Sequence, residues 1–152
     1  MKSNFELYDV IVIGGGASGI MAAGVAAGAG KKVLLLEKNT SLGEKLKITG
    51  GGRCNITNAE YDIRAFLKNY GKAAEFLYSP FSQFSAKDTF SFFESRGLPL
   101  VVQARNRAFP NTEKAIDVFN VLNKELQKSK VVVKTNFHIK HIHHADGHIT
   151  SI

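Results

Sequence analysis

The order of apolar and polar positions divides this chain into short, well-separated elements. Residues 9–13 (DVIVI) are a β-branched run between a polar start and a glycine cluster, the pattern of a strand buried on both faces. From Ala17 to Ala29 almost every side chain is small, which disfavours a strand and suits a helix lying close against a sheet. Gly24 and Gly28 each cost such a helix about 1 kcal/mol against Ala, so both are expected where a side chain would block that approach. Gly30 is placed to end the helix in the left-handed conformation that glycine adopts cheaply. Lys31 and Lys32 then lead into a second strand, VLLLEK. A strand, helix, strand order with so short a crossover requires parallel pairing.

Beyond this unit the periodicity fades. Residues 41–58 (SLGEKLKITGGGRCNITN) predict a long turn-rich loop, and a loop of that length inside a compact domain is usually functional. Ile63, Phe66, Leu67 and Tyr70 recur at helical spacing, and Ala73, Phe76 and Leu77 predict another short helix before Ser79-Pro80. Ser85 with Asp88 forms a capping-box pattern for a helix ending at Gly97. The stretch LPLVVQARNRAFP predicts two short strands about a polar turn. Thr112 is expected to cap a helix whose buried face carries Ala115, Val118, Leu122 and Leu126. Three strands close the chain, VVVK, FHIKHIH and HITSI, with Asp146-Gly147 as a hairpin turn. The expected order is therefore a βαβ unit over 1–38, a Gly-rich loop over 39–58, a mainly helical segment over 59–128 and β-strands over 129–152. Parallel strands are expected near 9–13, 32–36 and 130–134.

Two positions in this frame carry recognisable chemistry. Gly14, Gly16 and Gly19 fit G-x-G-x-x-G between a buried strand and a helix, where the pattern has meaning. Gly14 allows the tight turn, Gly16 lets backbone approach a pyrophosphate, and Gly19 permits close packing of helix on strand. Free N–H groups around Ala17 and Ser18 would meet the anion with the helix dipole behind them. Glu37 ends the second strand, 18 residues after Gly19, where a carboxylate can accept bonds from both hydroxyls of an adenosine ribose. A 2′-phosphate would meet a like charge there, so FAD and NAD both fit and NADP does not. Lys38 beside it would favour phosphate, although strand alternation points it away; it stays among the candidate cofactor contacts. The run Thr49-Gly50-Gly51-Gly52-Arg53-Cys54-Asn55 lets backbone lie flat against a ligand and offers a cation, but a surface loop would serve equally well on composition.

Composition narrows the class. With 152 residues, 44% hydrophobic and 22% charged, the chain has the balance of a folded globular domain rather than a disordered one. Its apolar runs are far shorter than the roughly 20 residues of a membrane helix, and Glu6 and Asp9 interrupt the place of a signal peptide's apolar stretch. Neither a membrane partner nor a secretory route is expected, and the chain reads as cytoplasmic. The net charge of +7 raises nucleic acid as a partner, but the basic residues come in twos and threes separated by acids and apolar residues, so none is expected. Cys54 stands alone, which fits a reducing compartment and excludes an internal disulfide. Five histidines, His138, His141, His143, His144 and His148, gather late without a carboxylate or cysteine at ligand spacing, so no metal is expected.

The run GEKLKITGGGRCNITN, with DVIVIGGGASGIMAA before it and FLYSPFSQFSAKDTFSFFESRGLPLV and RAFPNTEKAIDV after it, resembles the BaiN/RdsA-type NAD(P)/FAD-dependent oxidoreductases, also known as aminoacetone oxidase family FAD-binding enzymes. The resemblance covers nearly the whole chain. It implies an α/β fold, a Rossmann-type FAD-binding domain of the glutathione-reductase-like kind, truncated, with the helical segment between the second and third parallel strands and a β-meander at the C-terminus. It implies further that Gly14, Gly16, Ala17, Ser18 and Glu37 hold the ADP moiety of FAD. Lys45, Thr49, Gly51, Gly52, Arg53 and Asn55 would approach the rest of the flavin, and the backbone of Ile139 the adenine. NAD(P)H is implied as electron donor of the full-length enzyme. Family chains are more than twice this length, so the alternative expectation is a non-catalytic fragment that binds at most the ADP moiety. A plain NAD-dependent dehydrogenase domain fits less well, because residues 60–128 lack its strand and helix alternation.

Overall fold

The computed structural model describes residues 6–152. They form two compact units, one of residues 6–45 with Leu122–Ile152 and one of Leu46–Val121.

In the first unit, β1 (Val10–Ile13), β2 (Val33–Leu36) and β6 (Val132–Lys134) make a parallel sheet in the order β1-β2-β6. Val10 stands opposite Val33 and Leu34 opposite Val132. β2 lies in the middle, with all four of its apolar side chains buried, as a strand covered on both faces requires. Helix α1 (Ala17–Gly28) packs on β1 and β2 and buries Ile20 and Ala23. Its end is a Schellman closure: Gly30, at φ 81°, donates to the Ala27 carbonyl and Lys31 to that of Ala26. Gly24 and Gly28 correct the expectation made of them. A Cβ on Gly28 would meet nothing within 4 Å, and one on Gly24 only the tip of Leu126 at 4.0 Å. Their small size is not what lets the helix lie close. That role falls to Gly19, where a Cβ would sit 1.9 Å from the Gly14 carbonyl oxygen.

The unit's last strands are β7 (His143–Ala145) and β8 (His148–Ser151), an antiparallel hairpin turned by Asp146 and Gly147 at φ 49° and 76°. The stretch FHIKHIH enters this pairing only at His143; residues 135–142 are irregular. Asn136 at φ 54° breaks the extended run, and Asn136 and Phe137 donate instead to the carbonyls of Asn39 and Glu37, beside the end of β2.

The second unit holds an antiparallel sheet in the order β3-β5-β4, from β3 (Thr57–Asn58), β4 (Leu100–Gln103) and β5 (Arg107–Pro110). Helix α2 (Glu44–Gly52) begins in the segment expected as loop, but Thr49 is extended and Gly50 and Gly51 are left-handed, so the regular helix stops before the glycines. Helices α3 (Ile63–Leu67), α4 (Ala74–Gln83) and α5 (Ala86–Glu94) follow, with a 3₁₀ stretch, Lys68–Ala73, between the first two. α4 runs on through Pro80 rather than stopping before it. Ser85 and Asp88 form the expected reciprocal capping box of α5. Helix α6 spans Ala115–Lys128, with Ala115, Val118, Leu122 and Leu126 buried. Thr112 does not cap it. Glu113 is left-handed and donates to the Pro110 carbonyl, so Thr112 lies in a turn that precedes the helix.

Candidate functional site

The parallel strands of the first unit all end on the side where the glycine turn begins. Gly14 continues the ladder by donating to the Leu36 carbonyl at 2.8 Å, and its φ of 102° then turns the chain into α1. Only a residue without Cβ holds that angle at low cost. Gly16, at φ −80°, precedes the first helical residue, and a Cβ there would meet nothing within 4 Å. The helix opens with no side-chain cap and no acidic residue in its first turn, and Gly16, Ala17 and Ser18 are exposed. The first N–H groups of a 12-residue helix are thus turned outward beside open space. An anionic group fits such a start, where unsatisfied donors and the positive helix end coincide.

Glu37 is the one charged residue buried among the described residues, at 7% exposure. Its Oε2 accepts from the Gly15 N–H at 2.6 Å and its Oε1 from the Asn39 N–H at 2.8 Å. The bond from Asn39 is the largest influence on its acidity, and with those from Gly15 and Lys38 and the nearby Lys38 charge it outweighs the cost of burial. The carboxyl is held below its ordinary value. It is therefore ionised at neutral pH, and three backbone bonds leave acceptor capacity on the carboxylate, whose two oxygens accept about four. Lys38 itself is exposed.

Gly15, which the motif passes over as an "x", positions the Glu37 carboxylate. Its N–H holds Glu37, its carbonyl accepts from Gly43 at 2.8 Å, and a Cβ would lie 2.3 Å from Leu42 and 3.1 Å from Glu37 Oε2. The three consecutive glycines were the available signal. Lys45 is exposed in the same unit, and Ile139 is half-buried in the irregular stretch two residues beyond Phe137, whose N–H bonds the Glu37 carbonyl.

The remaining candidates lie in the second unit. Gly50, Gly51, Gly52 and Cys54 are all left-handed, at φ 58°, 67°, 83° and 61°. A Cβ on Gly50 would press on the Asn55 nitrogen at 2.9 Å, whereas Gly51 and Gly52 face open space. Thr49 closes the turn from both ends, its hydroxyl donating to Leu46 and its carbonyl accepting from the Cys54 N–H. Arg53 is tied inward: it donates to the Gly50 carbonyl, to Gln103 at 3.2 Å and to Glu113 at 3.5 Å, and its guanidinium lies 4.5 Å over the Phe109 ring. The amide of Asn55 is oriented by its neighbours, its nitrogen donating to the carbonyls of Ala108 and Thr57. Burial pushes the Cys54 thiol up, so this cysteine is not an activated nucleophile. Among the described residues no group of acids, histidines and cysteine is gathered for a metal ion, and no helix is long and apolar enough to cross a membrane.

A parallel βαβ unit with a glycine turn at the strand ends and a buried carboxylate closing the second strand defines a Rossmann-type dinucleotide-binding domain. The HI0933-like protein Rossmann domain family matches residues 8–152, and the chain belongs to that family. It is the BaiN/RdsA-type FAD oxidoreductase family of the resemblance, and its Rossmann domain binds FAD. The residues fit that group: outward N–H donors for the pyrophosphate, open space at Gly16, and an ionised acceptor for the ribose. Among relatives, the 3-dehydro-bile acid delta(4,6)-reductase of Clostridium scindens is 35% identical over 131 residues, 85% of this chain and 31% of that protein. The ribosomal RNA dihydrouridine synthase of Escherichia coli is 29% identical over 129 residues, again 85% of this chain and 31% of the relative. The chain thus spans about a third of the length of these curated relatives. Solved structures share the fold. A flavocytochrome c3 fumarate reductase in its open conformation superposes with a TM-score of 0.70 at 20% identity, covering 93% of this chain and 28% of that one. The 3-ketosteroid-delta4-(5alpha)-dehydrogenase of Rhodococcus jostii gives 0.67 at 18%, covering 92% and 40%.

Proposed function

We propose that this chain holds the ADP half of FAD in an oxidoreductase, with Glu37 as the ribose anchor and the start of α1 as the pyrophosphate seat. The observation that carries the reading is the Glu37 carboxylate, buried yet kept ionised by backbone N–H groups, with acceptor capacity left on it. Gly16, Ala17 and Ser18 present backbone N–H groups to the pyrophosphate, and Gly19 keeps the turn closed behind them. Thr49, Gly51, Gly52, Asn55 and Lys45 belong to the flavin side, the two glycines because their α-carbons face open space. Arg53, which bonds Gly50, Gln103 and Glu113 through Nε and one terminal nitrogen, braces that turn and keeps its other terminal nitrogen for the flavin side. The backbone of Ile139 serves the adenine. When bound, FAD supplies transfer of a hydride equivalent.

For the whole protein we propose NAD(P)H as electron donor, a cytoplasmic setting suited to its single buried thiol, and a small unsaturated carbonyl compound as substrate. The relatives' names favour this class: one reduces a 3-dehydro-bile acid at its delta(4,6) positions. The second relative acts on ribosomal RNA, but the paired, dispersed lysines and arginines of this chain form no continuous basic stripe along the sequence.

Titration of FAD into the chain, wild type and Glu37→Ala, tests the cofactor reading by calorimetry. Loss of charge-assisted bonds worth about 1.5 to 3 kcal/mol predicts a fall of about tenfold or more in affinity. Equal affinity of the two proteins would remove Glu37 from the ribose. NADPH oxidation by the whole protein, with a conjugated enone or with RNA as acceptor, decides between the substrate classes.

A further inference from the structure

The second unit contains a cavity of about 680 Å³ that shares only Asn55 with the flavin reading. One wall is aromatic. Phe66, Tyr70 and Phe81 are mutually packed, with ring centroids 4.8 Å apart for Phe66 and Phe81, 5.6 Å for Phe66 and Tyr70 and 6.2 Å for Tyr70 and Phe81. The rest of the lining is largely polar but carries no carboxylate, lysine, arginine or histidine; Asn55, Thr57, Asn58, Asn69 and Thr89 supply it. Several of their donors are committed: one Asn69 amide hydrogen to the Phe66 carbonyl, the Thr89 hydroxyl to the Ser85 carbonyl and the Asn55 nitrogen to the carbonyls of Ala108 and Thr57. The Asn55 and Asn69 side-chain oxygens are its carboxamide acceptors, beside the Tyr70 hydroxyl and the second Asn69 N–H.

A wall of stacked rings facing uncharged acceptors selects its ligand by two properties. The rings favour a flat or ring-shaped apolar body, and the absence of any lysine or arginine in the lining leaves an anion with no partner for its charge. The free carboxamide oxygens favour a ligand that presents an O–H or N–H at its edge. The volume lies within the range of small-molecule sites. We propose that this cavity is a binding site for an uncharged, ring-containing small molecule bearing a hydrogen-bond donor. Stacking on Tyr70 and acceptance by Asn69 are its main contacts. Asn55, on the rim, joins the cavity to the triple-glycine turn. The proposal does not depend on FAD being bound.

The test uses three naphthalene probes followed by their own fluorescence: 2-naphthol, 2-methoxynaphthalene, which has the ring without the donor, and 2-naphthoate, which is an anion. The expected result is saturable binding of 2-naphthol, weaker binding of the methyl ether by about tenfold for one lost hydrogen bond, and no saturation with the acid. Tyr70 and Asn69 are exposed, so both can be changed with the core intact. Tyr70→Ala should weaken 2-naphthol by about tenfold. Asn69→Leu, with circular dichroism confirming the fold, should abolish the preference for 2-naphthol over its ether. Saturating FAD should leave these affinities unchanged. Equal binding of all three probes, indifference to both substitutions, or competition by FAD would each overturn the proposal, the last by making the cavity the flavin's own seat.

Discussion

Glycine is not one thing in this protein. At Gly19 a Cβ would lie 1.9 Å from the Gly14 carbonyl oxygen, while at Gly16 it would lie in open space. Gly19→Ala should therefore cost about 3 kcal/mol of stability, as overpacking against immovable backbone does, and urea denaturation will show it. Gly16→Ala should fold with a loss below about 1 kcal/mol and instead weaken FAD by about tenfold or more, because the methyl group occupies the pyrophosphate's approach. Equal loss of stability in both would mean that the turn is a purely structural one. Glu37 makes a second prediction. Its folded value is lowered from an ordinary 4.5, so its contribution to stability is fully present above that value and is lost as pH falls through the lower folded one. Denaturation midpoints measured from pH 6 downward should drop below about pH 4.5 in the wild type, and Glu37→Gln should flatten this component.

At the scale of the element, α1 shows how a residue can be small without need. Gly24 lies inside the helix with ordinary space for a methyl group, the nearest atom being Leu126 at 4.0 Å. Gly24→Ala should stabilise the protein by about 0.5 to 1 kcal/mol, seen as a higher denaturation midpoint. A destabilisation would show that helix and Leu126 approach more closely than this. The elements also mark how far local pattern reaches. The capping box of α5 and the turn at Asp146-Gly147 formed as read, because both are decided by a few adjacent residues. Thr112 failed as a cap because the left-handed Glu113 delayed the helix to Ala115. FHIKHIH failed as a full strand because the left-handed Asn136 and the end of β2 claimed its first hydrogen bonds.

At the scale of the whole molecule, apolar side chains remain on the surface of the first unit: Leu7 at 81%, Ile13 at 56% and Ile149 at 70% exposure. Among the described residues β8 pairs with β7 alone, so its outer edge offers unpaired backbone groups beside Ile149. An edge of this kind favours strand-to-strand association. Sedimentation velocity should show concentration-dependent self-association, reduced in Ile149→Lys, where a charge at the edge opposes pairing. A monomer at all concentrations would show that the edge is already protected.

The sequence by itself determined the βαβ unit, its parallel pairing, the glycine turn and the carboxylate at the end of β2. Each follows from short-range spacing, from the order of strand, glycine and helix, and from the low number of ways a short crossover can close. Tertiary structure decided which glycines are indispensable, because that depends on which atom from elsewhere in the chain arrives within contact distance. It decided that Gly15, an unremarked motif position, orients Glu37 across 22 residues. It decided that Arg53 meets Gln103 and Glu113, fifty and sixty residues away. The ring-lined cavity came from the same source, since Asn55, Phe66, Phe81 and Thr89 belong to separate elements and meet only when the chain packs. Local pattern fixes backbone conformation, whereas the partner of a charged or aromatic side chain is set by which distant segment the fold brings beside it.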